Sequence, residues 1–357
     1  MTKVELFDIQ IQNPNRTVFD ASKEKWDSIS KPIDGLGDFE TLICKIAAMR
    51  GEVCPDISKR ALVVMCADNG IVEEGISQSD KSITKAVAEA LGKGISSACT
   101  LAKNTKVDVV PVDIGIDTDE KIDGVRDLKV RKGTRNFLME PAMSETETVE
   151  AISTGISLAT ELSEEGYSLI ATGEMGIGNT TTSTAVLSAL LSINSDEITG
   201  RGAGLSDSGL NRKREVIKAG LLKYDFNIED EKERAFEILR TLGGLDIAGL
   251  VGVFIGGALC RVPTVIDGVI SATAAIIADM IVPGARLYML PSHNGREKGC
   301  SMALSYLGLS SYINGNMALG EGTGALMLFP ILDMVMDFYK SGALFEDYEI
   351  DKYTRLS

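Results

Sequence analysis

Five times along this chain a short β-branched run leads into a polar or glycine-rich turn and then a helix-like segment. The runs are "ALVVMCADNG" (61–70), "KVDVVPVDIGI" (106–116), "YSLIATGEMG" (167–176), "RVPTVIDG" (261–268) and "ARLYMLPSHNG" (285–295). Neighbouring parallel strands need a long crossover, usually a helix. The alternation therefore predicts an α/β fold: a doubly wound, mostly parallel sheet with helices on both faces. Pro111 has no N–H for the ladder, so the second run is expected at an edge or to end early. Ligands of such sheets bind beyond the carboxyl ends of the strands. Those ends carry Asp68-Asn69, Gly173-Glu174, Asp267-Gly268 and Ser292-His293-Asn294. One polar turn means little, because such loops are normally polar. Several together mark the place of a site.

The two ends of the chain read differently. Residues 1–60 hold a helix, a turn around Pro32–Gly37 and an amphipathic helix. Residues 333–357 hold a helix and a polar tail. Together they are expected to form a small helical domain beside a large α/β domain over 61–332. The stretch "GGLDIAGLVGVFIGGALC" (243–260) approaches the length of a membrane span, but Asp246 and its many glycines fit a buried helix better. The opening "MTKVELFDIQ" has no secretory apolar core. The six cysteines form no C-x-x-C pair and several sit in apolar runs, as reduced thiols of a cytoplasmic protein do. The balance of 36 Lys and Arg against 51 Asp and Glu gives a net charge of −15, which disfavours nucleic acid or an anionic membrane as main partner. A local basic pocket for a small anion is compatible with that balance.

Three glycine-rich stretches carry candidate chemistry. "GEMGIGNTTT" (173–182) follows a strand and opens a helix, as a phosphate-binding loop does. A nucleoside-triphosphate loop also needs a lysine, and Asn179 stands in its place, so ATP hydrolysis is disfavoured. A single phosphate needs less charge, and an ordinary structural turn also fits. In "GRGAGLSDSGLNRKREVIKAG" (200–220), Arg212, Lys213 or Arg214 could neutralise that phosphate, or form a solvated basic face. In "NMALGEGTGALMLFPIL" (316–332), Glu321 lies between glycines before an apolar helix. It reads equally as a general base in an apolar pocket or as an acid favoured by a helix dipole. His293 is the sole histidine, and no zinc, EF-hand, H-E-x-x-H or G-x-S-x-G pattern is present. No metal and no cofactor is expected.

Taken in order, "ADNGIVEEGIS", "RKGTRNF…EPAMS", "GEMGIGNTTT", "GRGAGLSDSGL", "GGLDIAGLVGVFIGGA", "VIDG", "SHNGREKG" and "LGEGTGA" resemble the nicotinate-nucleotide–dimethylbenzimidazole phosphoribosyltransferase family, from about residue 25 to about residue 340. The resemblance implies transfer of 5-phosphoribosyl from nicotinate mononucleotide to an aromatic base, giving an α-riboside phosphate for the lower ligand of a cobamide. It implies a large doubly wound domain, a small helical domain and a dimer. It makes Glu321 the base and Glu174 the stabiliser of a cationic ribosyl centre. It places the phosphate against Gly176, Gly178, Asn179 and Thr180, with Lys213 as counter-charge. Gly202 and Asp267 match the ribosyl pocket, Ser79 a serine near the acceptor, and Ser292 and Leu319 further substrate-binding positions.

Four departures stand out. Asn69 replaces a histidine, Val87 a glutamine and Ala318 an arginine, and "KPIDGLG" replaces P-P-G-S-L-G. The first two are expected on the acceptor side, with the phosphate side intact. Phenol or p-cresol, the acceptors of a variant built from two paralogous subunits, therefore stand beside dimethylbenzimidazole. The alternative is a non-catalytic paralogous subunit.

Overall fold

The computed structural model describes residues 1–355. Strands β1 (Arg60–Ala67), β2 (Val107–Gly115), β3 (Arg126–Asp127), β4 (Leu169–Met175), β5 (Thr264–Ile266) and β6 (Met289–Pro291) form one sheet in the order β3-β2-β1-β4-β5-β6. Every pairing in it is parallel. The α/β reading holds. The chain winds outward from β1 to β3, then returns to β1's other side and winds outward again. The strand order thus reverses between β1 and β4, and the crevice for a ligand lies beyond their carboxyl ends. Strands β7 (His293–Gly295) and β8 (Ile313–Met317) make a separate parallel pair beside that crevice.

Strand β1 is buried at all eight residues, as its unbroken apolar run requires when helices cover both faces. It registers with β4 so that Met65 pairs with Glu174 and Cys66 with Met175. The two strands therefore end level, and their following turns face each other. Pro111 does not end β2, which runs on to Gly115. Strand β3 meets β2 only at Val112 and Asp113, so the proline lies just outside that pairing.

The glycine-rich stretch forms the helix Leu245–Leu259, buried everywhere but its last residue. It lies against the helix Glu145–Glu164 in backbone contact. A Cβ on Gly252 would land on the Ile152 carbonyl, and one on Gly155 on the Gly249 carbonyl. Among the described residues no helix is long and apolar enough to cross a membrane. Gly252→Ala is expected to destabilise the protein by about 1–3 kcal/mol through overpacking, read as a lower urea midpoint. An unchanged midpoint would contradict the backbone contact.

The terminal helices Arg16–Ser28, Asp38–Arg50 and Thr323–Ser341 pack together. Trp26 sits 4.7 Å from the Tyr339 ring, and Ser22 Oγ lies 2.9 Å from the Tyr339 hydroxyl. The expected division at 332/333, however, falls inside the helix Thr323–Ser341. This helix begins at the crevice and ends against Trp26. Buried residues of the terminal helices and of the sheet form one continuous hydrophobic cluster.

Candidate active site

Strand β4 delivers Glu174 to the crevice and then turns through Gly176–Gly178 into the helix Asn179–Leu191. Gly178, at φ +93°, makes the turn. Some of the turn's N–H groups are used within it: Asn179 donates to the Gly176 carbonyl at 3.1 Å and Thr181 to the Gly178 carbonyl at 2.9 Å. Facing the turn, the helix Asp207–Lys223 sends Lys213 inward, where it is 1 % exposed. Its ammonium donates to Thr180 Oγ1 at 2.8 Å and, among the described residues, makes no ion pair. A Cβ on Gly202 would lie 3.7 Å from Lys213 Nζ. Burial pulls the Lys213 ammonium down to about 8, with Glu297 opposing weakly. A buried cation with no counter-charge is costly, and an anion is its natural complement.

A second group of side chains is acidic. Asn179 Nδ2 donates to Glu174 Oε2, and also to Asp246 Oδ2 at 3.1 Å. Burial pushes Glu174 up to about 8, and the charges of Asp246, Asp267 and Glu321 add to the rise. Burial likewise raises Asp246 to about 6. It raises Asp267 to about 7 against backbone N–H donors, among them Ala325 at 3.0 Å from Asp267 Oδ1.

Glu321 reaches this group by an unusual backbone. It has φ +56°, between Gly320 at +88° and Gly322 at +77°. A non-glycine residue there costs about 1–3 kcal/mol and persists only when its surroundings impose it. Here strand β4 does so. A Cβ on Gly173 would lie 2.7 Å from the Glu321 carbonyl carbon and the Gly322 nitrogen, so the bare strand lets the loop dock. Glu321 Oε2 accepts from the Ala98 N–H at 3.1 Å, at the start of the helix Ser97–Thr105. It thus draws on a helix terminus other than that of the helix it precedes.

Both groups open on one cavity of about 340 Å³, within the range of small-molecule sites. A family profile described as phosphoribosyltransferase matches residues 11–350. A nicotinate-nucleotide–dimethylbenzimidazole phosphoribosyltransferase of Acetivibrio thermocellus is 45 % identical over 334 residues, covering 94 % of each chain. One of Ruminiclostridium cellulolyticum is 40 % identical over 346 residues, covering 97 % of each. The chain belongs to this phosphoribosyltransferase family. A crystal structure of CobT from Thermus thermophilus superposes with a TM-score of 0.88 at 30 % identity, over 94 % of this chain and all of that one.

Of the positions that the phosphoribosyltransferase resemblance marks, Ser79, Val87, Glu174, Gly176, Gly178 and Asn179 line the cavity. So do Thr180, Gly202, Lys213, Asp267, Leu319 and Glu321. Ser292 is fully buried outside that lining and donates its hydroxyl to the Ile266 carbonyl at 2.6 Å. Two expectations change. Asn179 Nδ2 is directed at Glu174 and Asp246, so this nitrogen serves the carboxylates rather than a phosphate. Asn69, expected on a ligand-facing wall, is fully buried behind the turn at Gly176–Gly178 and does not line the cavity: its Nδ2 donates to the Ile177 carbonyl at 3.3 Å. The level ends of β1 and β4 put it there.

Two wall residues escaped the sequence reading. Arg201 stands beside Gly202, with Nη1 on the Leu205 carbonyl at 2.8 Å. A cation enclosed by glycines in "GRGAG" was the available signal. Glu297 is the other, and the His293 ring, named above only as part of a polar strand end, also stands on the wall. Behind the wall, Asp246 reads in the sequence only as an interruption of an apolar run. Among the described residues no group of three or more His, Cys, Asp or Glu is placed to hold a metal ion.

Proposed function

We propose that the chain transfers the 5-phosphoribosyl group of nicotinate mononucleotide to dimethylbenzimidazole, giving an α-riboside phosphate for cobamide assembly. The observation that carries this reading is the shared cavity, with a buried unpaired ammonium in one group and Glu321 in the other. The phosphate lies against Lys213, Thr180, Gly202 and the turn at Gly176 and Gly178. Nicotinate, a pyridinium in the nucleotide, leaves with the electrons of the C1′–N bond and needs little acid catalysis. The acceptor nitrogen attacks C1′ from the opposite face, and Glu321 takes the acceptor's proton. Inversion from β to α follows. The developing ribosyl cation meets the Glu174 carboxylate. Glu174 is raised chiefly by burial and by its acidic neighbours, so a cationic ligand favours its ionised form.

A second reading keeps the same step with phenol or p-cresol as acceptor. Val87 supports it, since an apolar side chain stands on the wall with Ile76 and Ile83. The phenolic proton goes to Glu321 and an O–C1′ bond forms. That reading includes assembly with a paralogous subunit, and the dimethylbenzimidazole reading includes a homodimer. An apolar stripe of Met327, Met334 and Phe338, 46, 70 and 37 % exposed, offers a surface for either partner.

The test is turnover. The purified protein, alone and with any chain that co-purifies, is incubated with nicotinate mononucleotide and each acceptor, and nicotinate release is followed. Release with dimethylbenzimidazole is expected. Release only with phenols selects the second reading, and none with any aromatic acceptor rejects both.

A further inference from the structure

His293, the single histidine of the chain, opens β7 on the cavity wall and is 4 % exposed. One edge of its ring is fixed. Nδ1 lies 3.0 Å from Ser292 Oγ, which itself lies 2.6 Å from the Ile266 carbonyl oxygen. A carbonyl only accepts, so the one hydroxyl proton of Ser292 goes to Ile266. Ser292 Oγ must then accept from the ring, and the ring proton is on Nδ1. The same edge packs on Gly324, where a Cβ would collide with Nδ1 and Cε1. The ring cannot swing. Nε2 therefore carries a lone pair. Among the described residues it has no hydrogen-bond partner, and it is not sealed in the interior.

The surroundings agree. The carboxylates facing the ring are Asp267, with Oδ1 4.0 Å from Nδ1, and Glu297. Burial outweighs Glu297 and lowers the imidazole, which stays neutral at neutral pH. A Cβ on Gly295 would lie 3.7 Å from both His293 Nε2 and Glu297 Oε2, and one on Gly200 would lie 3.3 Å from Glu297 Cγ. The ring thus stands on the wall between the Gly200–Gly202 loop, beside the buried ammonium, and Asp267.

We propose that His293 Nε2 accepts a hydrogen bond from a ribose hydroxyl of the bound nucleotide and makes the site selective for ribose over deoxyribose. This rests on the phosphoribosyl reading above. The chemistry of the nucleotide leaves few alternatives. Its carboxylate and its pyridinium ring nitrogen have no proton to give, and its phosphate is largely deprotonated at neutral pH. The ribose hydroxyls are its donors. A site built to bond a hydroxyl rejects the analogue that lacks it, because the polar group left behind goes unpaired.

The test uses the protein without a histidine tag. kcat/KM is measured for nicotinate mononucleotide and its 2′-deoxy and 3′-deoxy analogues. The native protein is expected to discriminate against at least one analogue by about 10-fold. His293→Phe keeps a flat ring on Gly324 and loses both nitrogens, so that preference is expected to shrink to about 2-fold or less. The same preference in the variant overturns the proposal. So does a collapse of kcat with every substrate at unchanged preference, which would make His293 the base instead.

A second measurement needs no variant. Nitrogen-15 histidine labelling reports one ring only. An Nδ1–H tautomer is expected, with the Nε2 resonance moving when ribose 5-phosphate is added to saturation. An Nε2–H tautomer, or an unmoved Nε2, overturns the proposal while calorimetric binding of ribose 5-phosphate leaves the phosphoribosyl reading standing. No binding of ribose 5-phosphate removes both.

Discussion

Glu321→Gln is expected to lower kcat by about 10²–10⁴-fold, the usual worth of a positioned general base, with little change in KM for nicotinate mononucleotide. The glutamine keeps the length of the side chain, and its carbonyl can still accept from the Ala98 N–H that now holds Glu321 Oε2 at 3.1 Å. The loop at φ +56° is imposed by Gly173, Gly320 and Gly322, none of which the substitution touches. Only the capacity to take a proton is lost. Steady-state kinetics beside an unchanged urea midpoint would isolate that loss. Undiminished activity in an assembled complex would instead make this chain the non-catalytic partner.

Lys213→Met should move activity and stability in opposite directions. Without the ammonium, a bound phosphate is left largely unpaired, at a cost of about 3–5 kcal/mol, or about 10²–10⁴-fold in kcat/KM. The fold, by contrast, loses a cation that is 1 % exposed with no ion pair among the described residues, so its stability should hold or rise. The pH dependence gives the sign independently. Lys213 is depressed from 10.5 to about 8, so the folded protein binds fewer protons here than the unfolded chain between those values. Its contribution to stability therefore grows as pH rises from about 8 toward 10.5 and is least below 8. Phosphate affinity runs the other way, so kcat/KM should fall as pH rises through about 8. The methionine variant should lack that limb. An identical limb in both proteins would assign it to another group.

Particular residues show how far the sequence carried. The strands at 61–67 and 169–175 were legible because parallel strands buried on both faces leave unbroken apolar runs. The two-residue β3 and the short β7–β8 pair left no such run. The positions of Lys213 and Glu321 could be named, but not their surroundings. That Lys213 would lack a counter-charge depends on which carboxylates fold near it. That the Asn179 amide would bond Asp246 as well as Glu174 depends on a contact between positions 67 apart in the chain. Asn69 shows the limit clearly. It directly follows Asp68 at the end of a strand that was correctly read, yet the register of β1 with β4 put it behind the turn at Gly176–Gly178.

The helix Thr323–Ser341 has 19 residues and is about 28 Å long. One end begins two residues after Glu321. At the other, Tyr339 is held by the Trp26 ring, by Ser22 and by the Val53 carbonyl at 2.8 Å. Its second end thus lies among residues that touch no part of the cavity. The contact of Trp26 with Tyr339 is thereby joined to the Glu321 loop by one continuous helix, while Lys213 stands on a separate one.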